Sequence, residues 1–161
     1  MKHTIAVIVN NKPGVLSRVS NLFSRRAFNI ESLAVGTTED PTISRITLVA
    51  SGDESVLEQI IKQLYKLIDV IRVYDLPPAI AVERELALIK VTASALNRSE
   101  IMQVVDLFRG RIVDVSETSL IVEITGDEGK VVGLERLLEK FGIKELVRTG
   151  KIGMARGGSE A

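Results

Sequence analysis

Residues 4–51, TIAVIVNNKPGVLSRVSNLFSRRAFNIESLAVGTTEDPTISRITLVAS, decide the fold. Thr4 to Asn10 is β-branched and apolar, the composition of a strand. From Pro13 to Arg26 the period changes, and Val15, Val19, Leu22 and Phe23 fall at helical spacing as one buried stripe. Asn29 to Thr38 and Ser44 to Ser51 read as two further strands around the turn Thr38-Glu39-Asp40-Pro41-Thr42. Downstream, Asp53 stands as an N-cap before a helix carrying Leu57, Ile60, Ile61 and Leu64, and Ile68 to Tyr74 closes the set as a strand. The order is βαββαβ, which gives an antiparallel four-stranded sheet with both helices on one face.

The adjacent prolines of Leu76-Pro77-Pro78-Ala79 break the pattern, because paired prolines end strand pairing and favour extended chain. Beyond them the same order recurs. Glu85 to Ala93 is a strand, and Asn97 with Glu100 three residues on resembles a capping box. The helix that follows carries Ile101, Val104, Leu107 and Phe108. Arg111 to Ser116 and Ser119 to Thr125 alternate as a hairpin, a second helix presents Val131, Leu134, Leu137 and Leu138, and a strand lies near Lys144 to Arg148. Gly150 to Ala161 holds four glycines and reads as a loose tail. The expected class is α+β, two ferredoxin-like domains in tandem. A first domain spans 1–76, a proline-rich linker 77–82, and a second domain with a flexible tail 83–161. Strand one turns Ala6 and Ile8 away from its helices, so that face calls for a cover, and a homodimer is the expected one.

Composition removes whole classes of chemistry. Lysine plus arginine equal aspartate plus glutamate at 21 each, so no net positive field is available to hold a polyanion. An RNA-binding sheet of this topology stacks bases on aromatics, and HTIAVIVNN and SRITLVAS contain none. Cysteine is absent and His3 is the single histidine, so thiolate nucleophiles, disulfides and Cys/His zinc sites are excluded. His3 reads as a surface residue. The carboxylates Glu39-Asp40 and Glu83 with Glu85 lack an apolar pocket to raise a pKa. The terminal glycines lack the strand–loop–helix context and the GK[ST] ending of a phosphate loop. No catalytic constellation or metal set emerges, and the chain reads as a non-enzyme. No apolar run approaches the roughly 20 residues needed to span a bilayer, and the expected location is the cytoplasm.

One segment carries chemistry: Asn10-Asn11-Lys12-Pro13-Gly14-Val15-Leu16-Ser17-Arg18, joining the first strand to the first helix. The first turn of a helix leaves backbone N–H groups unpaired and concentrates positive potential there. The amides of Gly14, Val15 and Leu16 would point beyond the turn, and Gly14 has no Cβ to hold a ligand off. That outlines a carboxylate or phosphate site. The same residues equally describe an ordinary strand-to-helix turn with Asn as cap and Pro at the first helical position.

The motifs Asn11, Gly14, Leu16-Ser17-Arg18, Leu22-Phe23, Arg26, Asn29 to Leu33, Asp40-Pro41 and Ser44-Arg45 together resemble the N-terminal ACT domain of acetolactate (acetohydroxyacid) synthase small subunits. VERELALIKV, LFRGRIVDV and VRTGKIGMARG extend the likeness over nearly the whole chain. The resemblance implies a branched-chain amino acid, usually valine, held between two ACT domains of a dimer. The amides of Gly14, Val15 and Leu16 and the Asn11 side chain would take its carboxylate. Asn29 and Ile30 of the second chain would meet its ammonium and aliphatic end. It further implies a large catalytic subunit that carries thiamine diphosphate, FAD and magnesium, with no cofactor in this chain. That partner would be activated and made valine-sensitive. The alternative is a free-standing ACT-type amino-acid sensor without an enzyme partner.

Overall fold

The computed structural model describes residues 1–158, so the last three residues of the expected tail lie outside the description. The chain divides into two compact units, residues 1–83 with the segment from Lys151 onward, and residues 84–150.

The first unit contains β1 (Lys2–Asn10), α1 (Val15–Arg25), β2 (Asn29–Thr37), β3 (Ile43–Ser51), α2 (Glu54–Tyr65) and β4 (Val70–Asp75). Its sheet runs β2-β3-β1-β4, every neighbour antiparallel. Alternation along the strands divides them by face. Ile5, Val7 and Val9 of β1 and Ile46, Leu48 and Ala50 of β3 meet Val15, Val19, Leu22 and Phe23 of α1 and Leu57, Ile60 and Leu64 of α2. Phe23 and Phe28 add an edge-to-face pair with ring centroids 5.8 Å apart. Asp53 caps α2 as expected, its carboxylate accepting the Val56 N–H at 3.0 Å.

The other face of this sheet departs from expectation. Ala6 is fully buried, packed with Leu76 and Ala81 and flanked by Tyr74 and Ala155. At Ala6 the chain itself supplies the cover. The supposed loose tail contributes a strand, β9 (Ile152–Ala155). The Arg45 guanidinium donates to the Gly153 carbonyl at 2.7 Å, and the Arg156 N–H donates to the Ile80 carbonyl at 2.7 Å. Gly153 is buried between exposed Ile152 and Met154, and a Cβ there would lie 3.2 Å from Leu76 Cδ1. The glycine makes room for the side chains of Leu76, Glu83 and Thr4 rather than marking looseness. His3 is a second correction: it is 8% exposed, with Nε2 3.1 Å from the Gly52 carbonyl.

β5 (Ala81–Thr92) starts in the first unit, where its first residues follow the prolines, and continues into the second, pairing with β9 as well as β7 and β8. The second unit adds α3 (Arg98–Leu107), β6 (Arg111–Val115), β7 (Ser119–Gly126), α4 (Glu128–Leu138), a 3₁₀ turn (Glu139–Phe141) and β8 (Ile143–Arg148). Its strand path is β6-β7-β5-β8, the same arrangement as in the first unit. Ala87, Ile89 and Val91 of β5 pack with Ile101 and Val105 of α3 and with Val131, Leu134 and Leu138 of α4. The α3 stripe is therefore displaced from the expected one, with Val105 inside and Leu107 80% exposed. Leu137 is likewise outside. The capping box does not form: Asn97 Oδ1 accepts from the Ser94 N–H at 2.7 Å, and Glu100 pairs with Lys140. No helix among the described residues is long and apolar enough to cross a membrane.

Candidate functional site

The loop between β1 and α1 is pinned before the helix begins. The Asn11 N–H donates to the Thr42 carbonyl at 2.8 Å and the Asn11 side-chain amide to the Pro41 carbonyl at 3.0 Å. One Asn11 N–H therefore holds the β2–β3 hairpin, and its carbonyl oxygen and second N–H are what it has to offer outward. Gly14 is the N-cap residue of α1, in the left-handed region at φ 84°, with no side-chain cap. Only glycine takes that conformation without strain, so the residue type is fixed by backbone as well as by access.

The first bond inside the helix runs from the Arg18 N–H to the Gly14 carbonyl at 3.0 Å. The Leu16 and Ser17 amides, immediately before it in the first turn, consequently have no acceptor within α1. Val15 differs from expectation: its N–H already turns toward the Lys12 carbonyl at 3.4 Å, and its side chain is 4% exposed in the core. The outward amides centre on Leu16 and Ser17 rather than on Val15. Leu16 is 42% exposed, an apolar side chain at the mouth of the turn.

Arg18 and Asp69 brace the loop from below, and the sequence reading missed them as a pair. The Arg18 guanidinium donates to Asp69 Oδ2 at 2.6 Å, and the Asn10 N–H donates to the Asp69 carbonyl at 2.9 Å. The Arg18 hydrogen bond holds the Asp69 carboxyl below its ordinary value. Two residues 51 positions apart carry no local signal that would join them. Arg18 Nη1 would lie 3.3 Å from a Cβ at Gly14, so the guanidinium also flanks the glycine and adds positive charge there.

Asn11, Gly14, Val15 and Leu16 lie together, but Asn29 and Ile30 do not join them within one chain. Asn10 pairs with Ile43 at one end of β3, while Asn29 pairs with Ser51 at the other. At roughly 3.3 Å per residue those eight steps span about 26 Å, far longer than any single amino acid. Asn29 is exposed, and Ile30 is half-buried against the helix-side core. Among the described residues, no group of three or more histidines, aspartates or glutamates is placed to hold a metal ion.

The first βαββαβ unit, with its first helix opening on an uncapped glycine, is of the ACT class: residues 5–72 match the family described as an AHAS small subunit-like ACT domain. Residues 84–157 match the small subunit of acetolactate synthase. A probable acetolactate synthase small subunit of Archaeoglobus fulgidus is 58% identical over 157 residues, covering 98% of each chain. An acetolactate synthase small subunit of Mycobacterium leprae is 54% identical over 155 residues, covering 96% of this chain and 92% of that one. The crystal structure of the small subunit from Thermotoga maritima superposes with a TM-score of 0.91 at 45% identity, over 97% of this chain and 98% of that one. The chain belongs to the acetolactate synthase small-subunit family.

Proposed function

We propose that this chain is the non-catalytic regulatory subunit of an acetolactate synthase, activating a large catalytic subunit and conveying feedback inhibition by valine. The observation that carries the effector half is the division of the site. Helix-start amides suited to a carboxylate sit at one end of the first sheet, and Asn29 with Ile30 at the other. One small ligand meets both sets only when two copies of the unit place opposite ends side by side. Exposed β2 is an edge strand in a position to approach a second copy. The effector then acts as a bridge whose binding depends on how the two copies are arranged.

In this reading the effector stabilises one arrangement of the dimer, and the catalytic subunit senses that preference. Linkage limits the effect to the difference in affinity between arrangements. Couplings of this kind are about 1–3 kcal/mol, or about 5- to 150-fold in apparent affinity. Thiamine diphosphate, FAD and magnesium belong to the catalytic subunit, and this chain supplies binding and geometry only. Cytoplasmic location accompanies that role.

The test is calorimetric titration of the full chain with valine, with Gly14→Asp as the comparison. An aspartate adds a side chain where the ligand approaches and a negative charge beside its carboxylate. We expect saturable heat with the wild type and none with the variant, circular dichroism of the two being the same. Unchanged valine affinity in the variant refutes the site. Co-expression with the catalytic subunit distinguishes the regulatory subunit, which is retained and raises turnover, from a free-standing sensor, which is not retained.

A further inference from the structure

The irregularity in β2 sits next to the residues that would meet the effector, and the C-terminal segment is bonded to it. Residues i and i+2 of a regular strand share a face. In β2 the register shifts between Ile30 and Ser32, so Ile30 stands opposite Ala50 while Ser32 stands opposite Val49. Ala50 is part of the helix-side core, and Ile30 packs against that core. Val49 is the next residue along β3 and points the other way, so Ser32 does too. The bulge thus turns Ile30 toward the helices and Ser32 toward the face on which residues 151–156 lie.

Each side of the bulge is held. Glu31, the extra residue, accepts from the Ser51 hydroxyl at 2.6 Å and pairs with Lys2 at 3.1 Å. Ser32 Oγ accepts the Lys151 main-chain N–H at 3.1 Å. The segment beyond Lys151 is itself anchored: Lys151 Nζ lies 3.6 Å from Glu83 Oε2, the Gly153 carbonyl takes the Arg45 guanidinium, and that guanidinium lies 5.8 Å from the Tyr74 ring centroid. Arg45 stands opposite Gly36 of β2 as well as Ile8 of β1, so the same anchor reaches both strands.

We propose that residues 151–156 are a latch that sets the β2 bulge, and through it the placement of Asn29 and Ile30, with Ser32 as the positioning residue. The effector half of this proposal rests on the valine reading above; the mechanical half does not. A ligand that moves Asn29 or Ile30 moves the bulge, and the bulge moves the Lys151 contact, where the chain returns from the second unit to the first. Coupling of this form runs in both directions, so pulling on residues 151–156 changes effector affinity as much as effector changes the latch.

Amide exchange of the full chain, without any effector, tests the latch. Ser32→Ala removes the acceptor and is expected to speed exchange at residues 29–33 and 151–153 by about fivefold, the factor that one net hydrogen bond represents. Exchange in α3 and α4 should stay as in the wild type, and Ser32→Thr, which keeps a hydroxyl, should restore the slow rates. Wild-type rates in both segments of Ser32→Ala overturn the latch. Valine titration of the same proteins then reads the coupling. Several-fold weaker binding by Ser32→Ala at an unchanged melting temperature is the expected result, and equal affinity overturns the coupling. A wild type that gives no heat with valine removes the effector reading, while the exchange rates still decide the latch.

Discussion

The two units share one order of elements and differ where their first helices begin. α1 opens on Gly14, left-handed and without a side chain, after a loop held by main-chain and Asn11 bonds to the β2–β3 hairpin. α3 opens on Asn97, and the next residue, Arg98, reaches across to the β6–β7 turn, donating to the Ser116 and Glu117 carbonyls. The N-cap position carries no side chain in one unit, and in the other an asparagine stands there followed by the Arg98 strap. The sheets differ too. The back of the first is covered by Leu76, Ala81 and Ala155, while the second shows Leu88 at 39% and Val147 at 56% exposure, directly opposite one another on β5 and β8. A βαββαβ order therefore fixes the scaffold and leaves function to helix starts and to what covers the sheet.

The largest expected effect tests whether the two cores are separate. Leu48 and Leu134 are both fully buried, one in each core. Truncation of such a residue costs about 2–5 kcal/mol. Leu48→Ala should lower amide protection in residues 1–83 and leave α3 and α4 unchanged, and Leu134→Ala should do the reverse. If either substitution lowers protection throughout the chain, the cores unfold as one and the comparison between them loses its thermodynamic meaning.

A smaller effect sharpens the difference between the sheet backs. Gly153→Val places branched carbons where even a Cβ would meet Leu76 Cδ1 at 3.2 Å and Glu83 Cγ at 3.6 Å. Overpacking of this kind costs about 1–3 kcal/mol. The loss should appear in denaturant unfolding of the first unit, whereas Gly157→Val, at a position with nothing within 4 Å of a Cβ, should change little. Equal stability of the two variants would show that the C-terminal strand contributes no cover.

What could be read from the residues follows the reach of the signal. Strand and helix periods are local, so both βαββαβ units and the core of α1 were legible, as were Asp53 as a cap and Gly14 as the key to the first loop. The α3 stripe slipped because Leu107 and Val105 both suit a helix, and only packing against β5 chooses between them. The C-terminal strand was illegible for a different reason. Its glycines match a loose tail in composition, and the partners that order it, Arg45, Ser32 and Ile80, lie 76 or more positions from the residues they bond. Arg18 with Asp69 failed to appear on the same ground. Asn29 and Ile30 carried no local mark of a ligand and entered only through family resemblance, and the strand register places them at the far end of β3 from the first loop.

The finest distinction is electrostatic and lies among four aspartates of the first unit. Asp40 is held below its ordinary value by the Thr42 hydroxyl and amide, Asp53 by the Val56 and Ser55 donors, and Asp69 by Arg18. Asp75 is pushed the other way, chiefly by burial, with Glu54 adding to it and His3 opposing. A carboxylate with a lowered folded pKa contributes stability above its unfolded value near 4, and that contribution is lost as pH falls through the folded pKa. Asp75, raised, contributes below its unfolded value and loses the contribution as pH climbs through its folded pKa. Acid should therefore remove what Asp40, Asp53 and Asp69 contribute to the first unit, and Asp75 works against that loss. Asp75→Asn removes the opposing member, because its amide carries no charge at any pH. Melting temperature measured from pH 3 to 7 should then rise relative to wild type at the neutral end and converge toward it at the acid end. A variant that instead loses stability at neutral pH and matches wild type in acid would reverse the sign assigned to Asp75, and would locate its carboxylate in a site that favours the charged form.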